Sequence, residues 1–302
     1  MNQLMSARKT IEKIFRLVTP PIIPRAFARL RSGSPNYILE YAPEAVYAET
    51  DSAGGESVPG WNAENVAATE RGKWEAFCRN AAGAGPLGFS HEHPDLDVTR
   101  SVPFHNVHLT FAYALALAAS GKNSVSVLDW GGALGHYYQI GKALLPDLHL
   151  DFHCKELPNM VEVGRLLNPE VHWYADDSCL ERSYDLVMMN GSLQCFPEWR
   201  PVLRRVSAAA GGYFFLTRVP VVENSPTFAA WQQVYDSKMI HMQFNQDELL
   251  QAAADCGLEV FREVVVGDRP YIHNAPEQCE LRGWIFRRRE ALSNSSETKE
   301  LS

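Results

Sequence analysis

The 302-residue sequence has no run of about 20 uncharged apolar residues, so no transmembrane helix is expected. It has no CxxC pair. Its six cysteines stand at 78, 154, 179, 195, 256 and 279, and Cys154, Cys179 and Cys195 fall in or beside core-like segments, as free thiols in a reducing compartment would. There is no internal repeat. The opening MNQLMSARKTIEKIF carries charges inside its only apolar stretch and lacks a small-residue cleavage site, so no secretory signal is expected and the location should be cytoplasmic. A basic surplus is missing too. The net charge is −8, and the one basic concentration is an arm over 1–31 carrying +6, which leaves −14 for the rest. An acidic body argues against nucleic acid as the main partner. The arm suits either a solvated helix or peripheral contact with an anionic membrane. What the chain does have is 46% hydrophobic residues, enough for an ordinary core and too many for a disordered chain.

The two halves differ in pattern. Short amphipathic helices are expected over 11–18 and 25–30, broken by Pro20, Pro21 and Pro24. Residues 32–60 are rich in Ser, Gly and Pro and read as irregular. Helices follow over 63–80, with Asn62 placed to cap it, and over 104–119, stopped by Gly121. From Ser124 onward, apolar strands alternate with helices of about ten residues: VSVLDW, LHLDFHC, VHWYA, YDLVMMN, GYFFLTR, LEVFREVVV and CELRGWIFRR are the strands. Asn245 and Glu248 form a capping box for the helix QDELLQAAADC. Such alternation means a parallel sheet covered on both faces, with ligands at the rim of strand C-termini. The expected organisation is a helical cover over 1–120 that includes the basic arm, an α/β domain over 121–290, and a disordered tail over 291–302.

The most informative segment is Asp129-Trp130-Gly131-Gly132-Ala133-Leu134-Gly135, which follows the first of these strands and opens a helix. Glycines there let the backbone approach a ligand and aim free N–H groups at it. Glu156 ends the second strand, where a carboxylate can accept hydrogen bonds from a ribose diol. Asp176 and Asp177 follow the third strand, where an acid can accept from an adenine amino group. Asn190 and Gly191 end the fourth, on the same rim. Together these positions describe a nucleoside-shaped slot. The dinucleotide fingerprint needs glycine at i, i+2 and i+5, but Gly131, Ala133 and His136 hold those positions. An acid two residues before the first glycine suits a cofactor end bearing an ammonium group, which favours S-adenosylmethionine over NAD.

On these residues, the stretch over 124–289 resembles the class I S-adenosylmethionine-dependent methyltransferases, whose pattern is D/E-x-G-x-G-x-G. Asp129, Gly131 and Gly135 match that pattern. Ala133 replaces its middle glycine and Gly132 is an extra one. Glu156 falls at the family's ribose-binding acid, Asp176 or Asp177 at its adenine-side acid, and Tyr184-Asp185-Leu186-Val187 is similar to its fourth-strand motif. Asn190-Gly191-Ser192-Leu193-Gln194 and Arg218-Val219-Pro220 are similar to a group of uncharacterised bacterial methyltransferases associated with surface-polysaccharide genes. The resemblance implies a three-layer, Rossmann-like α/β sheet of seven strands with an antiparallel C-terminal hairpin.

The implied reaction is in-line methyl transfer to a small molecule or sugar. No NPPY-like run follows the fourth strand and no Pro-Cys nucleophile is present, which leaves oxygen as the acceptor atom by elimination. His241, read as a loop residue able to reach the rim, is the candidate base. Arg218, at the end of the fifth strand, would hold an anionic group of the acceptor or pair with the loop acids. His136 and Tyr138 would line the methionine end or pack the helix, and Trp61, Trp74 and Phe77 read as helix core. No metal is expected: His91-Glu92-His93 and His105-x-x-His108 lack a nearby cysteine or carboxylate at the usual zinc spacing. Two other readings stand beside this one, a NAD-dependent oxidoreductase or sugar-modifying enzyme and a noncatalytic binding protein of the same shape.

Overall fold

The apolar runs after residue 123 are too short for helices of ordinary length and too apolar to leave either side in water, so they become strands of a doubly covered sheet. The computed structural model describes residues 39–42, 64–92, 99–234 and 237–289, all within one unit that runs from Tyr37. The basic arm, the helices expected at 11–18 and 25–30, Trp61, Asn62, His93 and the tail over 291–302 lie outside the described residues.

In chain order the elements are β1 (Leu39–Ala42), α1 (Glu64–Ala82), α2 (Val102–Ala118), β2 (Ser124–Trp130), α3 (His136–Leu144), β3 (His149–Lys155), α4 (Pro158–Leu167), β4 (His172–Tyr174), β5 (Tyr184–Asn190), α5 (Trp199–Ala208), β6 (Ala210–Val222), β7 (Phe228–Val234), β8 (Ser237–Asn245), α6 (Gln246–Asp255), β9 (Leu258–Asp268), β10 (Ile272–His273) and β11 (Glu280–Arg288). The central sheet has the order β4-β3-β2-β5-β6-β11-β9. Its strands are parallel except β11, which runs antiparallel to both β6 and β9. This is the seven-stranded, Rossmann-like α/β arrangement expected. The antiparallel pair at its edge is joined by a detour through β10 instead of a tight hairpin turn.

Side-chain alternation along β5 sorts the two covering layers. Leu186 and Met188 pack with Phe77 of α1, Phe111 and Leu115 of α2 and Tyr137 of α3. Val187 and Met189 pack with Trp199 and Leu203 of α5 and Leu249 of α6. The helices expected as a cover therefore share the sheet's own hydrophobic core. Trp74 and Phe77 pack in the interior as expected, and Tyr138 rests edge-on against Phe152. None of the six cysteines is in a disulfide.

Two stretches differ from the sequence reading. Residues 32–60, read as irregular, contain β1, which pairs antiparallel with β7 and parallel with β10. The connection between β6 and α6, read as a loop, is the antiparallel pair β7–β8, with Ala230 opposite His241. β6 has 13 residues and serves both structures. Its first part pairs with β5 as far as Thr217, and Val221–Val222 pair with β8 beyond the rim. An accessory sheet, β10-β1-β7-β8, is thus attached to the far end of β6.

The capping box is half formed. Asn245 accepts from the Glu248 N–H at 3.1 Å, while the Glu248 carboxylate turns to the Thr227 hydroxyl and Arg200.

Candidate functional site

The chain leaves β2 at Trp130 and enters α3 at His136, so five residues make the reversal. Gly131 (φ 79), Ala133 (φ 51) and Gly135 (φ 73) all take left-handed backbone, a conformation that costs an L-residue roughly 1–2 kcal/mol and glycine almost nothing. Space excludes side chains as well. A Cβ on Gly131 would stand 2.6 Å from Ser192 Cβ, and one on Gly132 would stand 2.7 Å from Cys154 Sγ and run into the Asp129 carboxylate. The extra glycine at 132 is thus required by the close passage of the turn over Asp129. Below the turn, buried Asn168 donates its side-chain amide to the Gly135 carbonyl at 3.1 Å.

The turn borders a cavity of about 350 Å³, within the size range of small-ligand sites. Asp129 lies in its wall, is fully buried, and has no hydrogen-bond partner on either carboxylate oxygen. Burial, with the Glu156 carboxylate adding to it, pushes its pKa up to about 8. Glu156 also lines the cavity. Its Oε1 accepts from the Ala133 N–H at 3.0 Å and its Oε2 from the Leu157 N–H at 2.6 Å. A carboxylate offers about four lone-pair sites, so these two bonds orient the group and leave it able to accept more. Burial raises the Glu156 carboxyl above its ordinary range.

Asn190, Gly191 and Ser192 face the same cavity from the end of β5. Asn190 Nδ2 donates to the Tyr137 hydroxyl at 2.6 Å while its Oδ1 is buried without a partner. Gly191 takes φ 67, and the Ser192 hydroxyl donates to the Trp130 carbonyl at 2.7 Å. Asp176 and Asp177 are not among the lining residues. Asp176 is exposed and accepts from the N–H and hydroxyl of Ser178, capping the 3₁₀ turn Asp177–Glu181. Asp177 pairs with Arg205 at 2.7 Å. The structure therefore brings together the turn, Asp129, Glu156, Asn190 and Gly191, and leaves both acids after β4 outside the cavity wall.

The rest of the lining comes from α1, the segment after it, β6 and β8. Arg218 (φ 54) forks both guanidinium nitrogens onto Glu92, at 2.5 and 2.7 Å. The partner of Arg218 is thus Glu92, not the loop acids Asp176 and Asp177, which have local partners of their own. Met239 of β8 lines the cavity; His241, two residues on, does not. The reading of His241 as an exposed loop residue is overturned: it lies within β8, 8% exposed. The Gln243 side-chain amide donates to its Nδ1 at 2.8 Å, and burial, with the charge of Arg218 adding to it, pushes its pKa down to about 3.

His136 lines the cavity at 2% exposure with neither ring nitrogen hydrogen-bonded, and burial drives its pKa well below the imidazole range. Its ring stacks on His91 at 4.0 Å between centroids, and His91 Nδ1 donates to Glu70 Oε2 at 2.9 Å. Burial favours a neutral Glu70, but the charge and hydrogen bond of His91 outweigh it and hold the carboxyl at about 2. His105 and His108 have backbone roles, accepting from the Leu87 N–H and bonding to its carbonyl.

Glu70 escaped the sequence reading. Its signal was a carboxylate inside the apolar stripe Val66, Ala67, Trp74, Phe77, where helical spacing sends residue 70 inward.

No protein-family model matches the chain, and no curated protein matches it. It is similar to solved structures. One is an S-adenosylmethionine-dependent methyltransferase from Clostridium acetobutylicum (10% identity, 60% of this chain and 90% of that one, TM-score 0.42). Another is Burkholderia thailandensis 1,6-didemethyltoxoflavin-N1-methyltransferase with S-adenosylhomocysteine bound (14%, 85% and 98%, 0.44). A third is human N-acetylserotonin methyltransferase in complex with SAM (11%, 80% and 62%, 0.47). The strand order and directions define the fold independently of these likenesses.

Proposed function

We propose that the chain is a methyltransferase that takes its methyl group from S-adenosylmethionine and places it on an oxygen of a small-molecule acceptor. The observation that carries the reading is Asp129: two buried, unpartnered carboxylate oxygens in the wall of a cavity above a left-handed glycine turn. A buried carboxylate without a donor is costly, and an ammonium group is the donor that repays it best. Glu156, held by Ala133 and Leu157, has accepting capacity left for a sugar diol. A dinucleotide would instead bring its pyrophosphate charge against two carboxylates.

The residues fit the cofactor in its amino-acid and ribose parts. Asp129 would hold the ammonium, the turn over 131–135 would take the backbone-facing edge, and Glu156 would take the ribose. Asp176 and Asp177 have no part in the reading. When bound, the sulfonium supplies an activated methyl group. This chain's task is then to bind, align and exclude water. Arg218, paired with Glu92 in the same cavity lining, would orient an anionic or hydroxylated acceptor. His241 takes no proton-handling part, being set back against Gln243. The lack of an NPPY-like run after β5 supports oxygen over a base or amide nitrogen.

Titration calorimetry with S-adenosylhomocysteine and with NAD tests the proposal. One mole of S-adenosylhomocysteine bound per chain and no heat from NAD is expected. Heat from NAD alone would overturn it. Turnover of labelled S-adenosylmethionine against sugars, phenols and amines then tests the acceptor atom.

A further inference from the structure

Buried polar side chains in folded proteins are almost always hydrogen-bonded, and an exception calls for a ligand. His136 is such an exception. It sits at the N-terminus of α3 with both ring nitrogens buried and unpartnered. Its edge contacts with Phe77 (4.5 Å) and Trp74 (5.3 Å) offer no more than weak N–H···π partners. Beside it stand His91 and Glu70. One ligating atom of each of these three residues lies within 4.8 Å of those of the other two. The three come from α3, from the segment after α1 and from α1 itself, and all three line the cavity.

We propose that Glu70, His91 and His136 form a site for one borderline transition-metal dication, zinc or ferrous iron in chemistry, whose remaining coordination positions face the cavity. Two imidazoles and one carboxylate are a donor set that such ions take while leaving positions open for water or substrate. Glu70 is already fixed for the role: its Oε1 accepts from Lys73 at 3.2 Å, which leaves Oε2 turned to His91. The ion would replace the proton now shared between Glu70 Oε2 and His91 Nδ1. With bonds of roughly 2.0–2.2 Å, the 2.9 Å contact has to open by about half an ångström to admit it. His136 would gain a partner for one of its nitrogens. An acceptor oxygen entering the cavity would complete the coordination, which would place that oxygen beside the N-terminus of α3.

The second His-and-acid cluster, Asp151, His153 and His172, does not carry the same inference. There His153 already bonds Tyr174, Asp151 and Arg182, and Asp151 is paired with Arg182.

The metal site does not depend on the methyl-transfer reading, and its test is read without turnover. The full-length chain, stripped with chelator, is titrated with Zn²⁺ by calorimetry and with Co²⁺ by visible absorption. One equivalent of Zn²⁺ that displaces Co²⁺ is expected. Glu70→Gln and His136→Ala should each weaken Zn²⁺ binding by about 100-fold or more, as loss of a direct ligand should exceed the 10–100-fold known for outer-shell partners. His172→Ala should leave it unchanged. Far-ultraviolet circular dichroism and the thermal midpoint, measured on the same variants, report whether they remain folded. His91→Gln, at a half-buried position, is the substitute should either variant fail to fold. The inference is overturned if the wild-type chain binds no Zn²⁺, or if one equivalent survives every substitution at 70, 91 and 136.

Discussion

The two ends of the cavity are built in different ways. The end with Asp129 and Glu156 comes from one strand-turn-helix-strand segment, and its carboxyl groups are bonded to no basic side chain: Asp129 has no hydrogen-bond partner, and Glu156 has only backbone N–H donors. The end with Glu70, His91, Glu92 and Arg218 is assembled from segments far apart in the chain, and its charges are paired with one another across those segments. An uncompensated carboxylate is held ready for a ligand that always brings the same positive group. A mutually compensated set tolerates an empty cavity and can be opened by ligands of several kinds. The difference separates cofactor binding from acceptor binding and makes the two ends separately breakable.

The largest effect is expected at the bare end. Gly131→Arg puts a side chain where even a Cβ is 2.6 Å from Ser192 and forces φ 79 on a residue that resists it. It should leave no calorimetric heat with S-adenosylhomocysteine. Next comes Asp129→Asn, which removes a charge-assisted bond worth about 1.5–3 kcal/mol, so affinity should fall roughly 10–100-fold. The same change should stabilise the empty protein. With a folded pKa raised from 3.8 to about 8, native Asp129 keeps a proton that the unfolded chain has lost, so wild-type stability falls as pH rises through that window. Asn removes the fall, and the gain in melting temperature over wild type should be larger at pH 9 than at pH 6. Wild-type affinity for S-adenosylhomocysteine should rise from pH 6 toward 8 with release of a proton, and the Asn variant should flatten that slope. If the slope persists, Asp129 is not the ammonium partner.

At the paired end, Glu92→Gln leaves the Arg218 fork without its counter-charge. Both side chains are about one-fifth exposed, so the cost should be about 1–2 kcal/mol of stability, seen as a lower midpoint in urea. S-adenosylhomocysteine affinity should shift less than threefold. A large loss of cofactor affinity here would erase the distinction between the two ends. The smallest effect is reserved for a place outside both: Asn245→Ala removes the cap of α6 and should cost about 1 kcal/mol without touching either ligand.

The same contrast governs what was legible in the sequence. The central strands announced themselves as continuous apolar runs, and the cofactor end lay within a contiguous segment whose glycines and acids sit at fixed offsets from strand ends. Glu70 was not legible as a neighbour of His136 because only the packing of α1 against Leu134 of the turn and Met160 of α4 brings it there. The same separation hid a carboxylate beside His91. Asp176 and Asp177 had the right place in sequence, but a 3₁₀ turn and Arg205 use their oxygens locally. β7 and β8 mix polar and apolar residues, and the sheet they share with β1 and β10 draws on segments that no local pattern connects.

One strand sets a limit on how the protein comes into being. β11 lies between β6 and β9 and is the last strand of the sheet to be synthesised. Until the ribosome has passed Arg288 and released that stretch, β6 and β9 each present a naked edge to whatever polypeptide is nearby. Any nascent or clipped chain ending before Glu280 keeps those edges exposed, so it should be held by chaperones or precipitate while the full chain escapes both fates.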